Sequence, residues 1–238
     1  MNRSGAFIAL STVSAVIAAG HAVVIKDNFS SNTLGTRWNV VDFTGPQAAT
    51  TVAGGKLQVS GPGGTDNSYY ALELQDCGFV PGSWKISVAV QQLVEPSAIA
   101  SGEVVSACLG LQWGAFDPSL PVPGNINGYF YAVFMSNAGT VAATATWIDG
   151  SQQLVYFGND SRARKFVGKM TATFTAKKDR LVLQAGRYKR TIPAFSATSP
   201  FSGSPEIAIC GRTPGSVFGP ACTFDDFSAS GAGIVPWN

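Results

Sequence analysis

Carboxylates are the first residues to weigh for chemistry, because other reactive groups are scarce. The single histidine, His21, stands near the amino terminus, so no Ser-His-Asp or Cys-His arrangement is available to a domain that begins after it. Four cysteines, Cys77, Cys108, Cys210 and Cys222, are widely spaced with no CxxC, which argues against zinc. The acids, in contrast, form a pattern. KDNFSS (26–31) and FDDFSAS (224–230) repeat one design, an acid, Asp or Asn, Phe and Ser, almost two hundred residues apart. If the two ends of the chain pair, Asp27, Asp225 and Asp226 bring several of the oxygen donors that hard cations collect, and a structural calcium is one outcome. The plainer outcome is that they accept hydrogen bonds from backbone N–H groups where the fold closes.

Glycoside hydrolysis asks for two carboxylates facing each other, about 5–5.5 Å apart for retention. The nearest candidate is LELQD (72–76). Strand alternation puts Glu73 and Gln75 on one face and Asp76 on the other, so the second acid is missing where it is needed. Glu95, Glu103 and Glu206 are scattered, and no catalytic residue is assigned. No Gly-rich loop sits between a strand and a helix, so nucleotide binding has no support.

Binding groups are easier to find. GAFDPSLPVPGNING (114–128) is a long Pro- and Gly-rich segment, and such loops on a rigid scaffold are where ligands are usually met. Trp113 and Phe116 for sugar stacking, with Asp117, Asn125 and Asn127 for hydroxyls, form one candidate site. Tyr69 and Tyr70, which follow a Gly-rich turn, belong with it. A core role is the commoner fate of any one aromatic, and Trp38, Trp84 and Trp147 are expected there. A second loop, GRTPGSVFGPA (211–221), lies between two cysteines.

Charge is unevenly spread. Residues 162–190 hold Arg162, Arg164, Lys165, Lys169, Lys177, Lys178, Arg180, Arg187, Lys189 and Arg190 against one acid, Asp179. The formal total of +2 therefore conceals a strongly basic segment in an otherwise acidic chain. It suits an anionic partner such as an acidic polysaccharide, or it is the solvated outside of two hairpins. No aromatic-plus-basic reader motif accompanies it, which argues against nucleic acid.

The elements that must carry these residues are strands. Charged residues are 13% of the chain and hydrophobic ones 45%, and 27 glycines and 13 prolines favour many turns. In WKISVAV (84–90), Trp84, Ile86, Val88 and Val90 share one face; MTATFTA (170–176) alternates likewise, and KKDR turns it into LVLQA. GYFYAVFM (128–135) is apolar on both faces, as a central strand would be, and TATWIDGSQQLVYF reads as a hairpin turning at Asp149-Gly150. About a dozen such strands, with no helical periodicity, predict an all-β, two-sheet antiparallel sandwich with few or no helices.

The order DNFSSNTLGTRWNV, GGKLQVS, GSWKISVAV, NGYFYAVF and a closing CTFDDFSAS resembles the concanavalin A-like lectin/glucanase superfamily, which includes laminin G-like domains. The resemblance spans nearly all of residues 24–230 and implies a jelly roll whose first and last strands lie side by side. It also implies glycan binding on the concave sheet or rim loops. Laminarinase-like members carry E-x-D-x-x-E or E-x-D-x-E on one strand, which LELQD does not match.

The reading is a single domain over 23–238, behind a segment, 1–22, with the layout of a secretory signal: Arg3, an apolar stretch Ala6–Ala19 and a Gly20-His21-Ala22 exit. That stretch is too short to span a bilayer. A retained, buried amino-terminal arm is the alternative. The expected function is a non-enzymatic, lectin-like module that needs no cofactor, is displayed outside the cytoplasm and binds glycans or an anionic surface polymer. The alternatives are a decoration, spike or fibre subunit of a virion or surface assembly, with other subunits as partners, and a glycan-active hydrolase or lyase. In an oxidising compartment two disulfides in three connectivities are open, Cys210–Cys222 with Cys77–Cys108 among them, and buried thiols otherwise. Secretion should leave Val23 as the first residue, read by intact mass spectrometry; a product that retains Met1 contradicts the signal.

Overall fold

The structure is a computed structural model that describes residues 23–31, 33–42, 49–62, 68–74, 77–113, 127–148, 151–161, 165–199, 201, 203 and 205–236. The signal-like segment and the Asp149-Gly150 turn lie outside them. Seventeen strands follow one another: β1 Val23–Asp27, β2 Trp38–Asp42, β3 Ala49–Ala53, β4 Lys56–Pro62, β5 Ser68–Leu74, β6 Cys77–Phe79, β7 Trp84–Gln92, β8 Val105–Gln112 and β9 Gly128–Ser136, then β10 Gly139–Ile148, β11 Ser151–Asp160, β12 Val167–Thr175, β13 Arg180–Ala185, β14 Tyr188–Pro193, β15 Glu206–Thr213, β16 Phe218–Gly231 and β17 Ile234–Pro236. The one α-helix described, α1, is a single turn, Phe195–Thr198.

Two antiparallel sheets account for nearly all of them. One runs β14-β13-β12-β7-β16-β4-β3, with β1 also paired to β16, and the other runs β11-β10-β9-β8-β15-β5-β2. A small third sheet joins β17 to β6. The core between the large sheets follows from alternation. Leu57, Ile86, Val88, Val90, Met170, Leu183 and Phe224 come from the eight-stranded sheet and meet Leu109, Leu111, Tyr131, Val133, Ile207 and Ile209 of the seven-stranded one. The expected hairpins are present, β12 against β13 and β10 against β11, and β9 is a central strand between β8 and β10.

The two acidic motifs meet as expected of neighbouring end strands, with Asp27 opposite Phe227. Their local geometry departs from simple alternation. A bulge between Asp225 and Ser228 adds one residue to β16 against β7, and Asp226 takes a left-handed φ of 48°. Phe224 and Phe227 therefore both turn into the core, while Asp225 and Asp226 do not point to opposite faces as sequence alternation suggests. In the other motif Phe29 is itself left-handed, at φ 49°, and swings its ring inward to 2% exposure.

Asp27 fastens this arrangement. Its Oδ1 accepts the Phe29 N–H at 2.8 Å and its Oδ2 accepts the Trp38 indole N–H at 2.7 Å. Trp38 lies 5.8 Å from Phe29 and packs edge-on to Phe227 at 5.0 Å. Because β1 belongs to one sheet and β2 to the other, this carboxylate ties the two layers together. Asp27→Ala removes the acceptor of a buried indole N–H and should cost about 2–3 kcal/mol in urea unfolding. A loss below about 0.5 kcal/mol contradicts the assignment, on the scale of ordinary surface substitutions.

Candidate functional site

The face of the seven-stranded sheet that points away from the core carries a distinctive pattern of side chains. Register carries one row of small residues straight across it. Ala143 of β10 stands opposite Ala132 of β9, which stands opposite Cys108 of β8, then Cys210 of β15 and Ala71 of β5. The row ends on the edge strand at Tyr156, opposite Ala143 and 64% exposed. At ~4.8 Å between strands, the span from Tyr156 to Cys210 is roughly 19 Å.

The next row forms a wall. Leu154, Ala145, Phe130, Gly110 and Ala208 are successive partners. Phe130 packs with Ala145 and Ala208, joined by the half-buried Trp147 and Cys210, in a cluster separate from the main core. Its ring lies over two glycines: a Cβ on Gly110 would stand 2.2 Å from the ring, and one on Gly128 2.4 Å from it. Glycine is needed there so that the ring can lie flat on the sheet. Ala132 and Ala143 are buried, whereas Cys108 and Cys210 are half-buried. The face thus sets two rings, the exposed Tyr156 and the half-buried Trp147, beside a strip of small side chains that is itself largely buried.

The sites expected from sequence fall around this face unevenly. Trp113 follows β8 and its N–H bonds to the Asn127 carbonyl at 2.9 Å, so these two residues close the base of the 114–126 loop. The Trp113 ring is already engaged: it stacks on Phe201 at 4.6 Å, and its indole N–H donates to the Gly203 carbonyl at 3.2 Å. Phe116, Asp117 and Asn125 lie outside the described residues. Tyr69 and Tyr70 are placed on β5, opposite Arg212 and Gly211. Trp38 and Trp84 are core residues as expected, but Trp147 belongs to the outer cluster. Sequence reading passed over Tyr156 and Phe218; Phe218 is 85% exposed where β16 begins.

The basic segment does not act as one patch. Lys165 pairs with Glu95 at 2.6 Å, and Arg187 pairs with Asp160 while lying 5.4 Å from the Tyr188 ring centroid. Arg190 reaches between the two sheet edges to Thr144 Oγ1 at 2.9 Å and the Val155 carbonyl at 3.4 Å. Arg180 is half-buried, with its Nε lacking a hydrogen-bond partner. Lys165 and Arg187 stay exposed in their pairs, and Lys169, Lys177, Lys178, Lys189 and Lys85 of β7 are exposed as well. Arg162 and Arg164 lie outside the described residues. Asp179 turns the hairpin at φ 40°, and hydrogen bonds from Ser196 hold its carboxyl below the usual carboxylate range.

Among the described residues the acids do not assemble a metal centre. Both Asp27 oxygens serve Phe29 and Trp38, and Asp225 Oδ1 accepts the Asp226 N–H at 2.7 Å. Among the described residues no group of three His, Cys, Asp or Glu side chains could hold a metal ion, so the donors present do not fit the expected calcium. Glu95 is taken by Lys165 and Glu103 by the Ser216 hydroxyl, while Glu206 starts β15 opposite Gln112. The disulfide pairings Cys210–Cys222 and Cys77–Cys108 are not formed. Cys222 is buried between the sheets, Cys210 packs on the outer face, and Cys77 lies on the small sheet.

The fold is that of concanavalin A-like lectins. The carbohydrate recognition domain of Emp47p superposes with a TM-score of 0.57 at 14% identity, over 90% of this chain and 95% of that one. The CBM2 module of the evolved Dit of Lactobacillus casei BL23 phage J-1 gives 0.55 at 15% identity, over 88% and 95%. Arcelin-5, a lectin-like defense protein from Phaseolus vulgaris, gives 0.50 at 12%, over 89% and 99%. No family model matches the chain, and no curated protein matches it in sequence. Calcium should leave the melting temperature unchanged within about 1 °C. A larger rise that disappears in the Asp225→Ala, Asp226→Ala variant would restore a metal site that these donors do not form.

Proposed function

We propose that the chain is a non-enzymatic, lectin-like module that binds glycans outside the cytoplasm. The ligand surface is the outer face of the seven-stranded sheet, and Phe116, Asp117, Asn125, Asn127, Tyr69 and Tyr70 are further candidate contacts. The observation that carries this reading is the row of small residues edged by aromatic rings, on a fold also used by a carbohydrate recognition domain and a lectin-like protein. A pyranose offers flat C–H faces and a ring of hydroxyls. Tyr156 and Trp147 suit the first, and the half-buried Glu206 and Arg212 beyond the row of small residues suit the second. No acid pair is assigned a catalytic step.

A second reading is favoured by one observation, the likeness to a module of a phage Dit. On that reading the chain is a component of a virion or surface assembly, and its exposed lysines, Lys85, Lys169, Lys177, Lys178 and Lys189, face an anionic polymer or an acidic neighbouring subunit.

A glycan array of neutral and acidic sugars tests the leading reading. Binding should weaken at least about tenfold, near 1.4 kcal/mol, in both Trp147→Ala and Tyr156→Ala, while Lys169→Glu with Lys189→Glu leaves it unchanged. A blank array overturns the proposal. Binding that only the lysine variants abolish moves the ligand to the other sheet.

A further inference from the structure

Cys108 and Cys210 are direct cross-strand partners, on β8 and β15 near the middle of the seven-stranded sheet. Opposite residues of an antiparallel pair have Cα atoms about 4.5 or 5.5 Å apart, depending on whether they exchange hydrogen bonds. Both values lie within the ~4.4–6.8 Å that a disulfide spans. Strand pairing also fixes both side chains on the same face, so no backbone movement is needed to turn them toward each other. Both residues are half-buried.

The other two thiols are placed differently. Cys222 is fully buried between the sheets, its Sγ 3.9 Å from the Ser106 carbonyl, and Cys77 is buried on the small sheet beside Pro236. Neither stands opposite another cysteine in any strand register.

We propose that Cys108 and Cys210 form a cross-strand disulfide when the folded protein meets a low-molecular-weight disulfide. The thiolate of one cysteine attacks the small disulfide, giving a mixed disulfide and releasing one small thiol. The second cysteine then displaces the other small thiol, and the two cysteine protons end on the two released thiols. Burial pushes the Cys108 thiol up to about 11, against the opposing effects of the Ser106 hydrogen bond and the Arg212 charge. Thiolate, the attacking form, is therefore scarce at neutral pH, and a step that uses Cys108 as the attacker speeds up by about tenfold per pH unit from 7 to 10. The bridge closes a loop of about 100 residues and lies on the floor of the sheet face. It forms whether or not that face binds sugar.

The test is oxidation of the reduced full chain with oxidised glutathione, followed by non-reducing peptide mapping. The expected product is two hydrogens lighter, with the Cys108 peptide joined to the Cys210 peptide and Cys77 and Cys222 alkylated only after unfolding. Its melting temperature should rise by on the order of 10 °C. Cys108→Ser and Cys210→Ser should each abolish both the bridge and the rise, and Cys77→Ser should abolish neither. A bridge through Cys77 or Cys222 overturns the proposal, as does a product with four alkylatable thiols or a stable glutathione adduct.

Discussion

A carboxylate and an indole hold the ends of this fold together. Asp27 stands on the first strand of one sheet, Trp38 on the edge strand of the other, and their 2.7 Å hydrogen bond crosses the gap between the layers. Around it Phe29, Trp38 and Phe227 form a buried aromatic group drawn from three strands or turns. The two left-handed residues, Phe29 and Asp226, belong to the same device. Each departs from extended geometry where a phenylalanine, Phe29 or Phe227, enters the core. Pairing of β1 with β16 thus brings residues about two hundred positions apart side by side in the eight-stranded sheet.

That role accounts for the Asp27 motif as a structural device. Both Asp27 oxygens and Asp225 Oδ1 accept hydrogen bonds from backbone N–H groups or the indole, and the exposed Asp226 sits on a bulge. The basic segment resolves in the same way. Among the described residues Arg190 is a bridge between sheet edges, Arg187 and Lys165 have acidic partners at the surface, and Lys85, Lys169, Lys177, Lys178 and Lys189 are exposed. Charge that looks like one patch along the chain is spread by the β12–β14 hairpins over both sides of a sheet edge.

The fold was largely legible in the sequence because β7 and β12 keep their period-two apolar faces and β9, apolar on both faces, is a central strand. Pairing of the terminal strands was legible from the repeated motif. The bulge at Asp226 was not, since one inserted residue leaves no composition signal and inverts the facing of its neighbours. The candidate ligand face was hidden for a related reason. Ala143, Ala132, Cys108 and Cys210 become one row only through the registers of four strands, and each looks unremarkable along the chain. Trp147 reads as core by its strand context, yet it lies on the outer side because β10 is apolar on both faces.

Where a sugar settles distinguishes the two sheets as ligand faces. The direct measurement is an NMR titration of the labelled protein with a glycan that it binds, following the methyl signals of Ala143, Ala145 and Leu154 and the ring signals of Trp147 and Tyr156. Saturable shifts at those five residues, with the signals of Val167, Val182 and Thr191 on the other sheet unmoved, are the result this account predicts. Shifts confined to Val167, Val182 and Thr191 would contradict it.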